Sequence, residues 1–244
     1  MTIPLPPNAT VFPDAEAVAR AAADHLLAIC ADARPERIAV CLAGGSTPKR
    51  LYALLAGPDY VARVPWPRLH WFFGDDRAVP WDDPLSNVRM VREAFGHGAP
   101  IPATHLHFIA SDLGAEAGAA AYAATLRDFY GADVLDPARP LFDLVLLGLG
   151  EDGHTASLFP GKPALVERDA WAAPVPEAGM APFVPRITLT FPVLASSRSL
   201  LFLVTGAGKQ DALTRLSQGE DLPAGRATSV GTMRWFVDRA AAGA

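Results

Sequence analysis

The residue best suited to chemistry is His154. It ends the stretch Gly148-Leu149-Gly150-Glu151-Asp152-Gly153-His154, which directly follows the apolar run FDLVLL. A neutral imidazole suits general-base work near neutral pH. The glycines free this loop to hold an unusual conformation. Asp152, two residues earlier, is placed to orient the ring or tune its proton affinity. A lone histidine is more often structural or exposed, so it is the setting that singles out His154.

Two further segments read as anion sites. In Gly44-Gly45-Ser46-Thr47-Pro48 two glycines permit a tight turn, two hydroxyls follow, and a helix starts at once. The free N–H groups and dipole of a helix start favour a phosphate. The plainer reading is a well-capped strand-to-helix turn. The segment is neither a P-loop nor GxGxxG. Thr205-Gly206-Ala207-Gly208-Lys209 repeats the arrangement, and Lys209 there can lend a mobile positive charge. The plainer alternative is a solvated lysine.

Asp75 and Arg77 follow the run LHWFF. They are expected in the loop after that strand; if the loop starts extended, alternate spacing puts them on one side, with Asp76 pointing away. An arginine beside a carboxylate can clamp polar substrate groups, or simply form a local salt bridge. Ser86 reads as a helix N-cap, and Asn87 is a candidate to face the same site. Arg186, at the head of RITLT, is equally suited to the site or the surface. His105 and His107, spaced i, i+2, invite a metal reading, but no further ligand cluster accompanies them and no metal is expected. No Gly-x-Ser-x-Gly elbow supports a serine nucleophile.

These segments need a scaffold. Asp14–Ala33 reads as a helix with Asp14 as N-cap, Pro35 as stop and a stripe at Val18, Ala22, Leu26 and Ile29. Arg37–Leu42 is a short apolar strand, followed by a helix over Pro48–Leu55 capped by Thr47. Leu69–Phe73 is a strand and Asn87–Phe95 a helix. His105–Ala110 reads as a further strand and Gly114–Tyr130 as a long helix. Phe142–Leu147, Arg186–Thr190 and Ser199–Val204 read as strands. Lys209–Ser217 reads as a helix, and Arg234–Asp238 as a strand or helix.

Short apolar strands alternating with helices predict an α/β fold with a mostly parallel sheet covered on both faces. Ligands in such sheets bind outside the strand carboxyl ends. The polar or glycine-rich segments follow the strands ending at Leu42, Phe73, Leu147 and Val204, so they are expected to meet in one crevice.

The 244 residues are half hydrophobic and carry a net charge of −5. That length suits one large domain over 1–244 and excludes wholesale disorder. The acidic balance argues against nucleic acid and anionic membranes as partners. Cys30 and Cys41 fit no zinc or redox spacing and read as core residues. The first residues lack signal-peptide blocks, and no apolar run reaches ~18–20 residues. A cytoplasmic protein is expected, and a monomer.

Taken together, LAGGSTPKRLY, FFGDDRAVPWDDPLSNVRM, LLGLGEDGHTASLFPG and RITLTFPVLASSRSLLFLVTGAGK resemble the 6-phosphogluconolactonase family. The likeness runs from about Val40 to Lys209, and RWFVDRAA is similar to the family's final segment. The resemblance implies a Rossmann-like α/β fold related to the glucosamine-6-phosphate deaminases. It implies hydrolysis of a small-molecule sugar-phosphate lactone, 6-phosphogluconolactone, in the oxidative pentose phosphate pathway, without cofactor or metal. It places Gly44, Gly45, Ser46, Arg186 and Lys209 near the phosphate. Asp75, Arg77, Asn87 and His154 fall near the lactone, with either Asp75 or Asp152 as the partner of His154. Asp76 stands where the family usually has Glu; this departure keeps the charge, and no functional consequence of the change is expected.

Deaminases carry Asp-Glu-Tyr where this chain has Asp75-Asp76-Arg77. They carry a Glu shortly after Asp-Gly-His, where this chain has Ser157-Leu158-Phe159-Pro160. A non-catalytic sugar-phosphate sensor would be expected beside a DNA-binding module, and no basic helix-turn-helix is present.

Overall fold

In a computed structural model, residues 3–32 and 37–244 are described. Strand β1 (Ala9–Phe12) leads into α1 (Ala15–Ala31), then β2 (Ile38–Leu42) and α2 (Ser46–Leu55). β3 (Leu69–Phe73), β4 (Asp75–Arg77), α3 (Asn87–Phe95) and α4 (Ala115–Tyr130) follow. Next come β5 (Leu144–Gly148), β6 (Ala172–Val175), β7 (Arg186–Leu189), α5 (Phe191–Ala195) and β8 (Ser199–Val204). The chain ends with α6 (Gln210–Ser217), α7 (Pro223–Arg226), β9 (Thr232–Asp238) and α8 (Arg239–Ala242).

Six strands form one sheet in the order β1-β9-β8-β5-β2-β3, and every pairing in it is parallel. β2 (IAVCL) and β8 (SLLFLV) are buried along their whole length. Strands with no polar face must be covered on both sides, and the helices do this. Leu200, Leu201 and Phe202 are fully buried, each side chain stabilising the fold by about 1.5–3 kcal/mol. Asp14 accepts the backbone N–H of Ala17 as the N-cap of α1. The buried stripe of that helix is Val18, Ala22 and Leu26, closed by Cys30, while Ile29 is only partly buried. Ala33 and Pro35, the expected end and stop, lie outside the described residues.

Several expectations are corrected. Gly74-Asp75-Asp76-Arg77 is not a loop, since its last three residues form β4. RITL is a strand, but it belongs to a second, antiparallel sheet of order β4-β7-β6. Pro174 sits in β6, an edge strand, where a missing N–H is tolerated. His105–Ala110 is not a strand. A 3-10 turn covers Ala103–His105, and a single bridge joins Leu106 to Trp71 at the edge of β3. Arg234–Asp238 resolves as strand, inside β9.

The chain leaves β2 toward β3 on one side and returns as β5 on the other, so β2 and β5 are neighbours across a switch in direction. Loops leaving such a pair diverge and open a crevice at the strand carboxyl ends.

Candidate active site

A crevice of about 310 Å³ opens there, at the lower end of the usual range for small-ligand sites. Gly44, Gly45, Asp75, Arg77, Asn87, His154, Arg186 and Lys209 all line it. Ser46 and Asp152 do not. Ser46 is the first residue of α2 beside the Gly44-Gly45 turn, and Asp152 stands behind the histidine.

His154 is held tightly. Its Nδ1 lies 2.5 Å from Oδ1 of Asp152, and its backbone N–H donates to the same oxygen at 3.0 Å. Its carbonyl accepts the N–H of Gly150 at 2.8 Å. A Cβ on Gly150 would overlap the imidazole at Nδ1, so the ring packs where only glycine leaves room. On its other side the ring tilts against Phe159, with centroids 4.5 Å apart. Burial pushes the Asp152 carboxyl up, but the hydrogen bonds from His154 outweigh it and the net shift is downward. An ionised Asp152 can only accept, so the proton sits on Nδ1 and the Nε2 lone pair is left for chemistry.

Asp75 does not contact that ring. Its Oδ2 accepts the hydroxyl of Ser157 at 2.5 Å, and Asn87 Nδ2 donates to its carbonyl at 2.9 Å and to its Oδ1 at 3.4 Å. No salt bridge joins Asp75 to Arg77. Arg77 Nη1 instead donates to the carbonyl of Leu85 at 2.5 Å, and its Nε is buried with no acceptor among the described residues.

Arg77 and Arg186 are directly paired in register across β4 and β7. Like charges so placed repel. Burial first, then Arg77, holds the Arg186 guanidinium below its ordinary value, while Asp75 and Asp76 oppose the fall. Arg186 is pinned by the carbonyls of Pro182 (2.8 Å) and Val184 (3.3 Å). Two close guanidiniums make a local field that favours an anion.

The other anchor is the β2–α2 turn. Its N-cap is Gly45 at φ 108°, a conformation that favours glycine, and Thr47 lies inside the helix instead of capping it. Thr47 Oγ1 sits 2.6 Å from Thr205 Oγ1, which ties this turn to the end of β8. There Gly206 N–H donates to Asp238. Lys209 closes a 3-10 turn (Ala207–Lys209) ahead of α6, which starts one residue later than expected, at Gln210.

Sequence reasoning missed the crevice residues Glu151, Phe159 and Met180. Glu151 and Phe159 flank the histidine segment, and that proximity was the available signal. Met180 carried none. His70, His105 and His107 cluster elsewhere. His70 stacks on His105 at 3.9 Å, and its Nδ1 lies 3.1 Å from His107 Nε2. Among the described residues, no group of His, Cys, Asp or Glu is arranged to hold a metal ion. Cys30 and Cys41 are buried, and burial raises the Cys30 thiol to about 11.

A parallel sheet with a switch-point crevice, an Asp–His pair and convergent cationic groups is the arrangement of an α/β enzyme that takes an anionic ligand. The family described as glucosamine-6-phosphate isomerases/6-phosphogluconolactonase matches residues 13–235, and the chain belongs to it. Within that family it falls in the 6-phosphogluconolactonase branch. It is 35% identical over 257 residues to 6-phosphogluconolactonase of Homo sapiens, covering 99% of this chain and 95% of that one. It is 36% identical over 208 residues to 6-phosphogluconolactonase 3, chloroplastic, of Arabidopsis thaliana, covering 83% of this chain but only 63% of that longer protein. The crystal structure of 6-phosphogluconolactonase from Thermotoga maritima superposes with a TM-score of 0.81 at 31% identity, covering 94% of this chain and 98% of that one. Among the described residues, no helix is long and apolar enough to cross a membrane.

Proposed function

We propose that the chain, acting as one domain and as a monomer in the cytoplasm, hydrolyses 6-phospho-D-glucono-1,5-lactone to 6-phospho-D-gluconate in the oxidative pentose phosphate pathway. The observation that carries this reading is the Asp152–His154 pair in a crevice that also holds Arg77, Arg186 and Lys209. The phosphate docks at the Gly44-Gly45-Ser46 turn, with Lys209 and Arg186 supplying charge. Docking at that end brings the lactone carbonyl to His154, so remote binding energy orients the reacting centre.

His154 Nε2 takes a proton from water as the water oxygen attacks C1. Arg77, whose Nε lacks an acceptor, stabilises the negative charge that develops on the carbonyl oxygen. The C1–ring-oxygen bond then breaks, and protonated His154 returns the proton to the leaving oxygen. Asp152 holds the imidazole in the required tautomer throughout. Asp75 and Asn87 shape the lactone side. The scheme uses water and side chains alone, with no cofactor or metal.

The deaminase alternative is disfavoured at Phe159. Ring opening and amine chemistry call for a carboxylate there, and this chain has an apolar ring packed against His154.

The test is hydrolysis of freshly generated lactone, comparing wild type and His154→Ala with the spontaneous rate. Acceleration by wild type that falls by ~10²–10⁴-fold in the variant supports both the activity and the base. Acceleration by both keeps the activity and removes His154 as base. No acceleration by wild type sinks the lactonase reading, and an assay on glucosamine 6-phosphate then decides the alternative.

A further inference from the structure

We infer that Asp76 is a positioning residue whose single carboxylate ties β4 to the start of α3, setting Arg77 and Asn87 at a fixed spacing in the crevice. Asp76 is fully buried and does not itself line the crevice. Its Oδ1 accepts the backbone N–H of Asn87 at 2.7 Å and that of Arg77 at 2.8 Å. Its Oδ2 accepts the hydroxyl of Ser86 at 3.1 Å and the N–H of Val88 at 3.4 Å. Four donors from two elements therefore converge on one group.

Helix capping alone does not explain this. Ser86 already caps α3, accepting from Val88 N–H and Arg89 N–H. A buried carboxylate is costly unless each oxygen is satisfied. Here the oxygens are satisfied by the backbones of the two residues whose side chains enter the crevice. The charged and titratable groups around it are Asp75 and Arg77 on β4, Arg186 on β7 and Tyr122 on α4. Burial raises Asp76 to about 6, against the hydrogen bonds from Asn87 and Arg77. Protonation turns one acceptor site into a donor, so the clamp loosens on the acid side of neutrality.

Two measurements test this. In 15N-labelled wild type, the backbone amides of Arg77 and Asn87 are expected to titrate together with a midpoint near 6. The transition should be absent in Asp76→Asn, whose amide offers one acceptor oxygen in place of two. Amides that stay flat between about pH 5 and 8 overturn the proposal, as does a transition that persists in the variant.

The second measurement rests on the lactonase reading. Asp76→Asn should lower kcat by about ten- to a hundred-fold, with KM within about threefold, because the phosphate is held elsewhere. Its acid limb of kcat should also be shallower by one proton. A folded variant with kcat within about twofold of wild type overturns the proposal. If the variant fails to fold, the wild-type amide titration decides alone. If wild type fails to accelerate lactone hydrolysis, the function fails while the amide measurement still stands.

Discussion

Asp152 and His154 share one oxygen twice. Oδ1 of Asp152 faces Nδ1 of the ring at 2.5 Å and takes the backbone N–H of the same residue at 3.0 Å. Side chain and main chain of the histidine are therefore fixed by one carboxylate, at the short length of a charge-assisted bond. Replacing it with an amide offers the ring a donor and favours the wrong tautomer. Asp152→Asn should lower kcat on the order of a hundred-fold or more. The double variant with His154→Ala should be no slower than His154→Ala alone, because the two residues act as a unit. Multiplicative losses would give Asp152 a separate role.

Gly150→Ala tests whether ring placement matters independently of ring chemistry. A methyl at this position would overlap the imidazole at Nδ1, so the ring must move. Activity should drop by about a hundred-fold while all titratable groups remain. A crystal structure of the variant should show a displaced His154. An unmoved ring with full activity would refute the steric account.

Lys209 lines the same crevice as His154, and no hydrogen bond joins it to Asp152 or His154. Lys209→Gln removes charge without touching the Asp152–His154 pair. KM should rise by about ten-fold or more with kcat within a few-fold, because the lost interaction is felt equally in ground and transition states. The rise should shrink at high salt, where the wild-type attraction is itself screened. A kcat effect larger than the KM effect would place Lys209 at the reacting centre.

Asp76 also predicts a pH dependence of stability. Its carboxyl is raised from 3.8 to about 6, burial being the largest cause. A raised carboxyl favours the folded state when protonated. Its contribution is complete below 3.8 and is lost as the pH climbs through 6. For this group alone the linkage is on the order of 3 kcal/mol. Denaturant titrations of wild type and Asp76→Asn at about pH 4 and pH 7 isolate it, since all other groups cancel in the difference. Wild type should lose more stability than the variant on going to neutral pH. An equal loss in both would mean that Asp76 titrates at its ordinary value.

The sequence alone determined the inner strands of the large sheet and the edge on which chemistry gathers, though not its outer strand β1. Runs such as IAVCL and SLLFLV have no polar face, and hydrophobic burial leaves them one fate, an interior strand flanked by helices. Asp14 and Ser86 were legible as caps because capping is local. The glycine-rich segment before His154 was legible for the same reason. The small antiparallel sheet was not: Asp75–Arg77 carries no apolar signal, and it becomes a strand only because β7 supplies the partner backbone. Nor could sequence choose between Asp75 and Asp152 as the partner of His154. Asp75 is held instead by Ser157, 82 residues further along the chain. Asp76 showed this most clearly. Read along the chain it was a carboxylate pointing away from the site, and only the meeting of β4 with α3 gave it four donors. Local sequence sets propensity, caps and the burial of apolar runs, whereas hydrogen bonds between distant polar groups exist only once packing has brought them within reach and removed the water that would otherwise satisfy them.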